Sequence, residues 1–204
     1  MEIISYDSLN IPYIVDSLKQ GKTIVYPTET CYGLGCDATN REAVEKIFEI
    51  KHRQKDKSVL VVASDPSIMM EYIEWTPVLE KIAERYWPGP LTVVVCAKNG
   101  YDLPVGVKAA DDGTIAFRIT DHPLASQLSK ELGKPIVSTS ANLASYKSPY
   151  DSALVRAMFD TSIPQPDIII DAGKLVEHAP STVIRLGRDG EFHVLRQGEV
   201  IVRL

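Results

Sequence analysis

Short apolar runs with no polar alternation recur along this chain, and each is set off by a stretch with helical spacing. Val59 to Ala63 is the clearest: it reads as a strand buried on both faces, because neither parity of side chain is polar. Before it, Asn40 is placed to cap a helix from Arg41 to about His52, with Ala43, Val44, Ile47 and Phe48 as its apolar stripe. Ile11 to Gln20 predicts another helix, stopped by Gly21, and Thr23 to Tyr26 a short strand ended by Pro27. Helices are expected over Pro66–Ile73, Pro77–Tyr86 and His122–Leu132, the last stopped by Gly133. Strands are expected over Leu91–Ala97, Thr114–Ile119, Ile136–Thr139, Ile168–Asp171, Val183–Leu186 and Phe192–Leu195. Such alternation predicts an α/β fold with helices packed on a sheet. The closely spaced last strands add an antiparallel portion, so the sheet is expected to be mixed. With no internal repeat or long linker, residues 1–204 are expected to form one domain, within the roughly 250 residues a single core can serve.

Charge narrows the function. The net charge of −5 argues against broad electrostatic binding of nucleic acid, which needs a basic face. No apolar run reaches the ~18 residues of a membrane span, and the acidic start Met1-Glu2-Ile3 lacks the order of a signal peptide. Cys31, Cys36 and Cys96 form no CxxC pair and leave one thiol over from any disulfide, so reduced thiols in a cytoplasmic protein are expected. His52, His122, His178 and His193 are scattered without metal-ligand spacing, and no protein-side metal site is expected.

Against that acidic background, Lys51, Arg53, Lys55 and Lys57 gather at one helix end. Lys51 continues the apolar stripe of its helix, so its ammonium either snorkels to water or enters a cavity. Arg53 offers a fork of donors for phosphate or carboxylate. Well downstream, Ser138-Thr139-Ser140-Ala141-Asn142 sets hydroxyls and an amide where a buried strand should end, as Thr28-Glu29-Thr30 does earlier. Ligands of open α/β sheets sit beyond strand carboxyl ends, so the two clusters together suit a polyphosphate and a small polar substrate. Arg118 shares a strand face with Thr114 and Ala116, which fits either a ligand contact or an ion pair. Ser181-Thr182 and Arg196 are compatible with cap and turn chemistry as well as with a site. Gly33-Leu34-Gly35-Cys36-Asp37-Ala38 formally fits a dinucleotide fingerprint, but a turn and a cap are expected after it and no helix opens there. Trp87-Pro88-Gly89-Pro90 reads as a rigid turn with an aromatic anchor. No P-loop and no Ser-His-Asp arrangement is visible.

Taken together, Tyr26-Pro27-Thr28-Glu29-Thr30-Cys31-Tyr32-Gly33-Leu34-Gly35, Lys51-x-Arg53, Trp87-Pro88-Gly89-Pro90-Leu91-Thr92, Phe117-Arg118-Ile119-Thr120-Asp121-His122-Pro123, Ser138-Thr139-Ser140-Ala141-Asn142 and Ser181-Thr182-Val183-Ile184 resemble the threonylcarbamoyl-AMP synthase family, the YrdC-like domain, in order and spacing over nearly the whole chain. The resemblance implies a twisted sheet with flanking helices around a large, positively lined cavity. It implies an enzyme that makes threonylcarbamoyl-AMP and pyrophosphate from L-threonine, bicarbonate and ATP with Mg²⁺, for N6-threonylcarbamoyladenosine in tRNA. By resemblance, Thr30, Arg118, Ser138 and Ser181 line the threonine pocket. Arg53, Lys57, Thr114, Ser140, Asn142, Ser148 and Arg196 hold ATP, and Lys51 and Arg53 act on the phosphates. A downstream tRNA threonylcarbamoyl transferase complex and weak tRNA binding are the implied macromolecular partners. The chain departs from the pattern at Gln54, Ser58-Val59, Lys57 and Ala144-Ser145, and at Val62, where many relatives place a histidine that touches threonine. It resembles the short form, without the longer form's linker and second domain.

The chemistry asks for what these residues offer. Phosphoryl-type transfer needs positioning and charge neutralisation more than a protein nucleophile, and no covalent enzyme intermediate is expected. Two other functions draw on the same features: an RNA-binding module, and a carbamoyl-adenylate-forming enzyme that uses a different amine or carbamoyl phosphate.

Overall fold

The computed structural model describes residues 1–54, 58–100, 103–143 and 146–203. Their strands fall into two mixed sheets, where one was expected. The first runs β1 (Glu2–Ser5), β9 (Ile168–Asp171), β2 (Ile24–Pro27), β3 (Tyr32–Gly35) and β8 (Thr139–Ser140). The second runs β11 (Phe192–Arg196), β10 (Thr182–Leu186), β5 (Leu91–Cys96), β6 (Thr114–Ile119), β4 (Val61–Ala63) and β7 (Ile136–Val137). In the first sheet β9 is parallel to β1 and β2, while β3 is antiparallel to β2 and β8. In the second, β10–β5 and β4–β6 are parallel and the remaining pairs antiparallel.

Alternation along these strands explains why their sequences are apolar throughout. Val25 and Ile169 point into a core that also takes Val61, Val93, Phe117 and Ile184 from the second sheet. Their neighbours Ile24, Tyr26, Ile168 and Ile170 point the other way, under Ile14 and Leu18 of helix α1 (Ile11–Lys19) and Leu124 and Leu128 of helix α5 (Pro123–Leu132). Both faces of β2 and β9 are therefore dry, and each fully buried Ile or Val contributes about 1.5–3 kcal/mol.

Helix ends follow their cap residues. Asn10 accepts from the Tyr13 amide at 3.1 Å to open α1, and Asn40 accepts from the Ala43 amide at 3.0 Å to open α2 (Arg41–Lys51). His52 closes α2 in the left-handed region at φ 48°, and Gly133 closes α5 at φ 70°. Helix α3 (Pro66–Met70) stops short of the expected Ile73, while α4 (Pro77–Tyr86) has its expected bounds. The Trp87–Pro88 bond is cis, and the Trp87 ring packs 4.9 Å from Phe117, as a rigid aromatic turn requires.

Other sequence expectations change as well. Pairing in the Val59–Ala63 run begins only at Val61. Elements that went unpredicted include β1, strand β3 over Gly33-Leu34-Gly35, and helix α6 (Ser152–Asp160), which Asp151 caps by accepting from the Ala153 amide at 2.9 Å. The run Ile136–Thr139 is not one strand: it leaves the second sheet at Val137, turns at Ser138 and joins the first sheet at Thr139. That crossing places a line of hydroxyls between the two sheets.

Candidate active site

Where the sheets diverge they leave a cavity of about 320 Å³, with walls drawn from both. Thr28, Thr30, Cys31 and Gly33 come from the end of β2 and the start of β3, and Thr139 and Ser140 from β8. Thr92, Ala116, Arg118, Val183 and Arg196 come from β5, β6, β10 and β11. Ser138 sits at the crossing, and Arg53, Ser58, Ser148 and Tyr150 complete the rim.

The turn after β2 is held by one hydroxyl. Thr28 Oγ1 donates to the Cys31 carbonyl at 2.7 Å and accepts from the Thr30 and Cys31 amides at 3.3 Å. Thr30 Oγ1 lies 3.1 Å from it, which aims Thr30 at the cavity. On the facing strand, a methyl at Gly33 would stand 3.2 Å from Ser138 Oγ, so a side chain there would crowd the hydroxyl. Burial raises the Cys31 thiol above its ordinary pKa, which keeps it a neutral wall group.

Arg118 is 2% exposed and reaches the cavity from β6. Its Nε lies 2.8 Å from Glu29 Oε1, with both side chains nearly buried, although the angle is poor for a hydrogen bond. Glu29 Oε2 accepts from Thr120 Oγ1 at 2.9 Å. The ion pair weighed in the sequence and the ligand contact are thus compatible: Glu29 takes the Nε side, and Arg118 still forms part of the cavity wall.

Opposite, Ser181 Oγ accepts from Thr92 Oγ1 at 3.0 Å and from Arg196 at 2.9 Å. Arg196 also donates twice to the Ser181 carbonyl, at 3.1 and 2.9 Å. Burial, then the charge of Arg118, lower the Arg196 pKa, so the two guanidiniums stand close enough to feel each other's charge. Arg53 adds a third from the end of α2, with one nitrogen 3.0 Å from the Ser58 carbonyl. Among the described residues no carboxylate belongs to the cavity wall. Three guanidiniums, hydroxyls and no wall acid make a receptacle for anions.

The Ser140–Asn142 loop is fixed from below. Lys51, 3% exposed, donates to the carbonyls of Ser140 and Asn142, the latter at 2.8 Å, and to Asn142 Oδ1 at 3.0 Å. Ser140 Oγ donates to the same Oδ1 at 2.6 Å, and the Asn142 amide donates to the Tyr146 carbonyl. Burial, then the charge of Arg53, lower the Lys51 pKa to about 8. Its ammonium enters neither water nor the cavity wall; it pegs the loop that presents Ser140.

Of the residues marked from sequence, Thr30, Arg53, Arg118, Ser138, Ser140, Ser148, Ser181 and Arg196 converge on this cavity. Lys51 and Asn142 stand one layer behind it. Thr114 does not line it; its hydroxyl donates to Asp112 at 2.6 Å. Lys57 lies outside the described residues, as do Ala144 and Ser145. Val62 is fully buried in the core under α1 and α5, not in the cavity wall, so its replacement of the family's histidine leaves no gap there. Sequence reasoning missed Thr92, Glu29 and Tyr150. Thr92 had a signal, since it ends the Trp87-Pro88-Gly89-Pro90-Leu91-Thr92 segment that helps carry the resemblance, yet on its own it reads only as the start of a strand after a turn.

A Sua5/YciO/YrdC family model, described as "Telomere recombination", matches residues 16–198. The threonylcarbamoyl-AMP synthase of Vibrio vulnificus (strain YJ016) is 35% identical over 194 residues, covering 93% of this chain and 98% of that protein. Its counterpart in Aliivibrio fischeri (strain ATCC 700601 / ES114) is 34% identical over 197 residues, covering 93% and 99%. The crystal structure of P. abyssi Sua5 complexed with L-threonine aligns with a TM-score of 0.86 at 30% identity. That alignment covers 97% of this chain, which spans 58% of the longer P. abyssi protein. E. coli YciO aligns with a TM-score of 0.81 at 28% identity, covering 97% and 94%.

Proposed function

The chain belongs to the Sua5/YciO/YrdC family, and on that premise we propose that it forms threonylcarbamoyl-AMP and pyrophosphate from L-threonine, bicarbonate and ATP, for tRNA modification. One observation carries the assignment. Thr30, Arg118, Ser138 and Ser181 stand in one cavity with Arg53, Ser140, Ser148 and Arg196, though they come from two sheets and distant segments. The P. abyssi Sua5 structure complexed with L-threonine supports the amino-acid half of that cavity.

Arg118 offers parallel donors to the threonine carboxylate, while Thr30, Ser138 and Ser181 supply hydroxyls for the rest of the molecule. The threonine ammonium and bicarbonate condense to a carbamate, releasing water and one proton. A carbamate oxygen then attacks the α-phosphorus, and pyrophosphate leaves with the electron pair of the broken P–O bond. Arg53 and Arg196 neutralise the charge that spreads over the phosphates, and the Lys51 peg fixes the loop that carries Ser140. Mg²⁺ brought in with ATP would be held through the triphosphate, beside the hydroxyl oxygens of the wall, and would add to the neutralisation of phosphate charge by Arg53 and Arg196. Walls from two sheets would shield part of the bound ligands from bulk water, which favours a carbamate that loses carbon dioxide and an anhydride that hydrolyses.

Pyrophosphate release from ATP should require both bicarbonate and L-threonine, with serine and glycine as controls. Arg53→Ala should cut kcat/KM by about 10²–10³ with an unchanged circular dichroism spectrum. Release that ignores threonine, or full turnover in Arg53→Ala, would overturn the assignment.

A further inference from the structure

Thr92 and Ser181 come from different strands, share a hydrogen bond and line the same cavity, each almost fully buried at 1% and 2% exposure. Alternation along β5 sets Thr92 there: Leu91 and Val93 join the core, so the side chain between them points to the cavity. Ser181 stands just before β10, whose parallel pairing with β5 puts Thr182 beside Leu91 and Val183 beside Thr92. The Thr182 amide donates to the Pro90 carbonyl at 3.0 Å, which fixes the backbone next to Ser181 against the start of β5. The two hydroxyls therefore meet by construction of the sheet, not by chance rotation of exposed side chains.

A serine hydroxyl has one proton to give and two lone pairs to receive. At Ser181 both lone pairs are taken. Thr92 Oγ1 donates to Ser181 Oγ from 3.0 Å, and Arg196, which can only donate, does so from 2.9 Å. Among the described residues no protein acceptor takes the Ser181 proton, and its free direction is the cavity. We propose that Thr92 is a positioning residue: by completing the pair of donors on Ser181 Oγ, it makes that hydroxyl an obligate donor, which takes a carboxylate oxygen of the amino acid and refuses a ligand N–H. The proposal rests on the assignment of Ser181 to the threonine pocket. Arg196 alone would leave one lone pair open, and Ser181 could then serve a ligand donor or a ligand acceptor equally. With that lone pair filled, a ligand N–H at this position would meet only a donor and stay unpaired, so the contact discriminates instead of merely binding.

The test compares L-threonine with L-threoninamide, in which an NH2 group replaces one carboxylate oxygen. Calorimetric affinities for both are measured on the wild-type chain, Thr92→Val and Thr92→Ser. Arg118 favours the carboxylate whatever stands at position 92, so its share cancels when the chains are compared. Wild type should prefer the acid over the amide. Thr92→Val keeps the shape and removes the donor, which lets Ser181 turn and accept from the amide; it should lose about fivefold or more of that preference. Thr92→Ser keeps the hydroxyl and should keep the preference. Should Thr92→Val fail to fold, Thr92→Cys supplies a much weaker donor and should lower the preference by a smaller factor in the same direction. Equal losses for acid and amide would reduce Thr92 to a structural role and overturn the proposal, as would an unchanged preference in Thr92→Val. A Thr92→Ser chain that behaves as Thr92→Val would assign the effect to the methyl group and overturn it too. A wild-type chain that binds the acid no better than the amide would instead overturn the threonine-pocket assignment itself.

Discussion

Three oxygens of one loop share the ammonium of Lys51, and this makes the protonation of a single buried residue visible in catalysis. A protonated amine has a hydrogen for each acceptor; a neutral amine has only two. Burial and the charge of Arg53 lower the pKa to about 8 from an ordinary 10.5. Between those values the folded chain is neutral at Lys51 while the unfolded chain still binds the proton. The contribution of Lys51 to stability therefore rises with pH across that window, instead of falling. Catalysis should move the other way, because Ser140 loses part of its anchor. The prediction is an alkaline limb in kcat near pH 8 with no matching loss of melting temperature. In Lys51→Met the limb should disappear and kcat should be low at every pH. That variant leaves buried carbonyls without a donor, at about 1–3 kcal/mol for such a group. A wild-type limb that persists unchanged in Lys51→Met would assign it to another group.

At the scale of elements, the crossing from β7 to β8 depends on strand β3 having almost no side chains on one face. A methyl at Gly35 would lie 2.2 Å from the Val137 carbonyl oxygen and 2.9 Å from the Tyr26 ring, so backbone would have to move. At Gly33 the neighbours are side chains, Ser138 Oγ and Thr28 Cγ2, each 3.2 Å away. Gly35→Ala should thus cost about 2–3 kcal/mol, read as a lower urea midpoint at unchanged m-value. Gly33→Ala should be milder in stability and raise the KM for threonine, because the displaced hydroxyl lines the cavity. The same strand marks the limit of what the sequence discloses. The continuous apolar runs and the Asn40 and Gly133 stops made most helices and the mixed α/β class legible, since those signals are local. Gly33-Leu34-Gly35 is not legible as a strand because glycine is poor in strands on its own; only the distant Val137 carbonyl explains why glycine is needed there. The break of Ile136–Thr139 at Ser138 is hidden likewise, because its two halves differ only in the sheet they join. In the site, hydroxyls at strand ends were readable, whereas Glu29 beside Arg118 and the Lys51 peg needed the packing of segments far apart in sequence.

Viewed as one molecule, the cavity is the place where the two sheets part, and a ligand that fills it ties them together. The proposed threonine contacts come from Thr30, in the turn between β2 and β3 of the first sheet, and from Arg118 on β6 and Ser181 just before β10 of the second. Binding to the folded state alone stabilises by RT ln(1 + [L]/Kd), about 2.7 kcal/mol at a hundredfold excess over Kd. The net charge of −5 adds a constraint on which anions can exploit this. Arg53, Arg118 and Arg196 sit in a cavity of about 320 Å³ within an acidic chain, where a threonine or a triphosphate fits and a folded RNA does not. Threonine and Mg²⁺-ATP should therefore each raise the melting temperature, and the pair should raise it by more than either one. tRNA at matched phosphate concentration should leave it unchanged, because a chain of net charge −5 disfavours binding by counterion release. Differential scanning fluorimetry at two salt concentrations separates the cases. A tRNA-induced shift that collapses with salt would show a basic face on the exterior and favour an RNA-binding role, whereas shifts confined to threonine and nucleotide would locate the anion chemistry between the sheets.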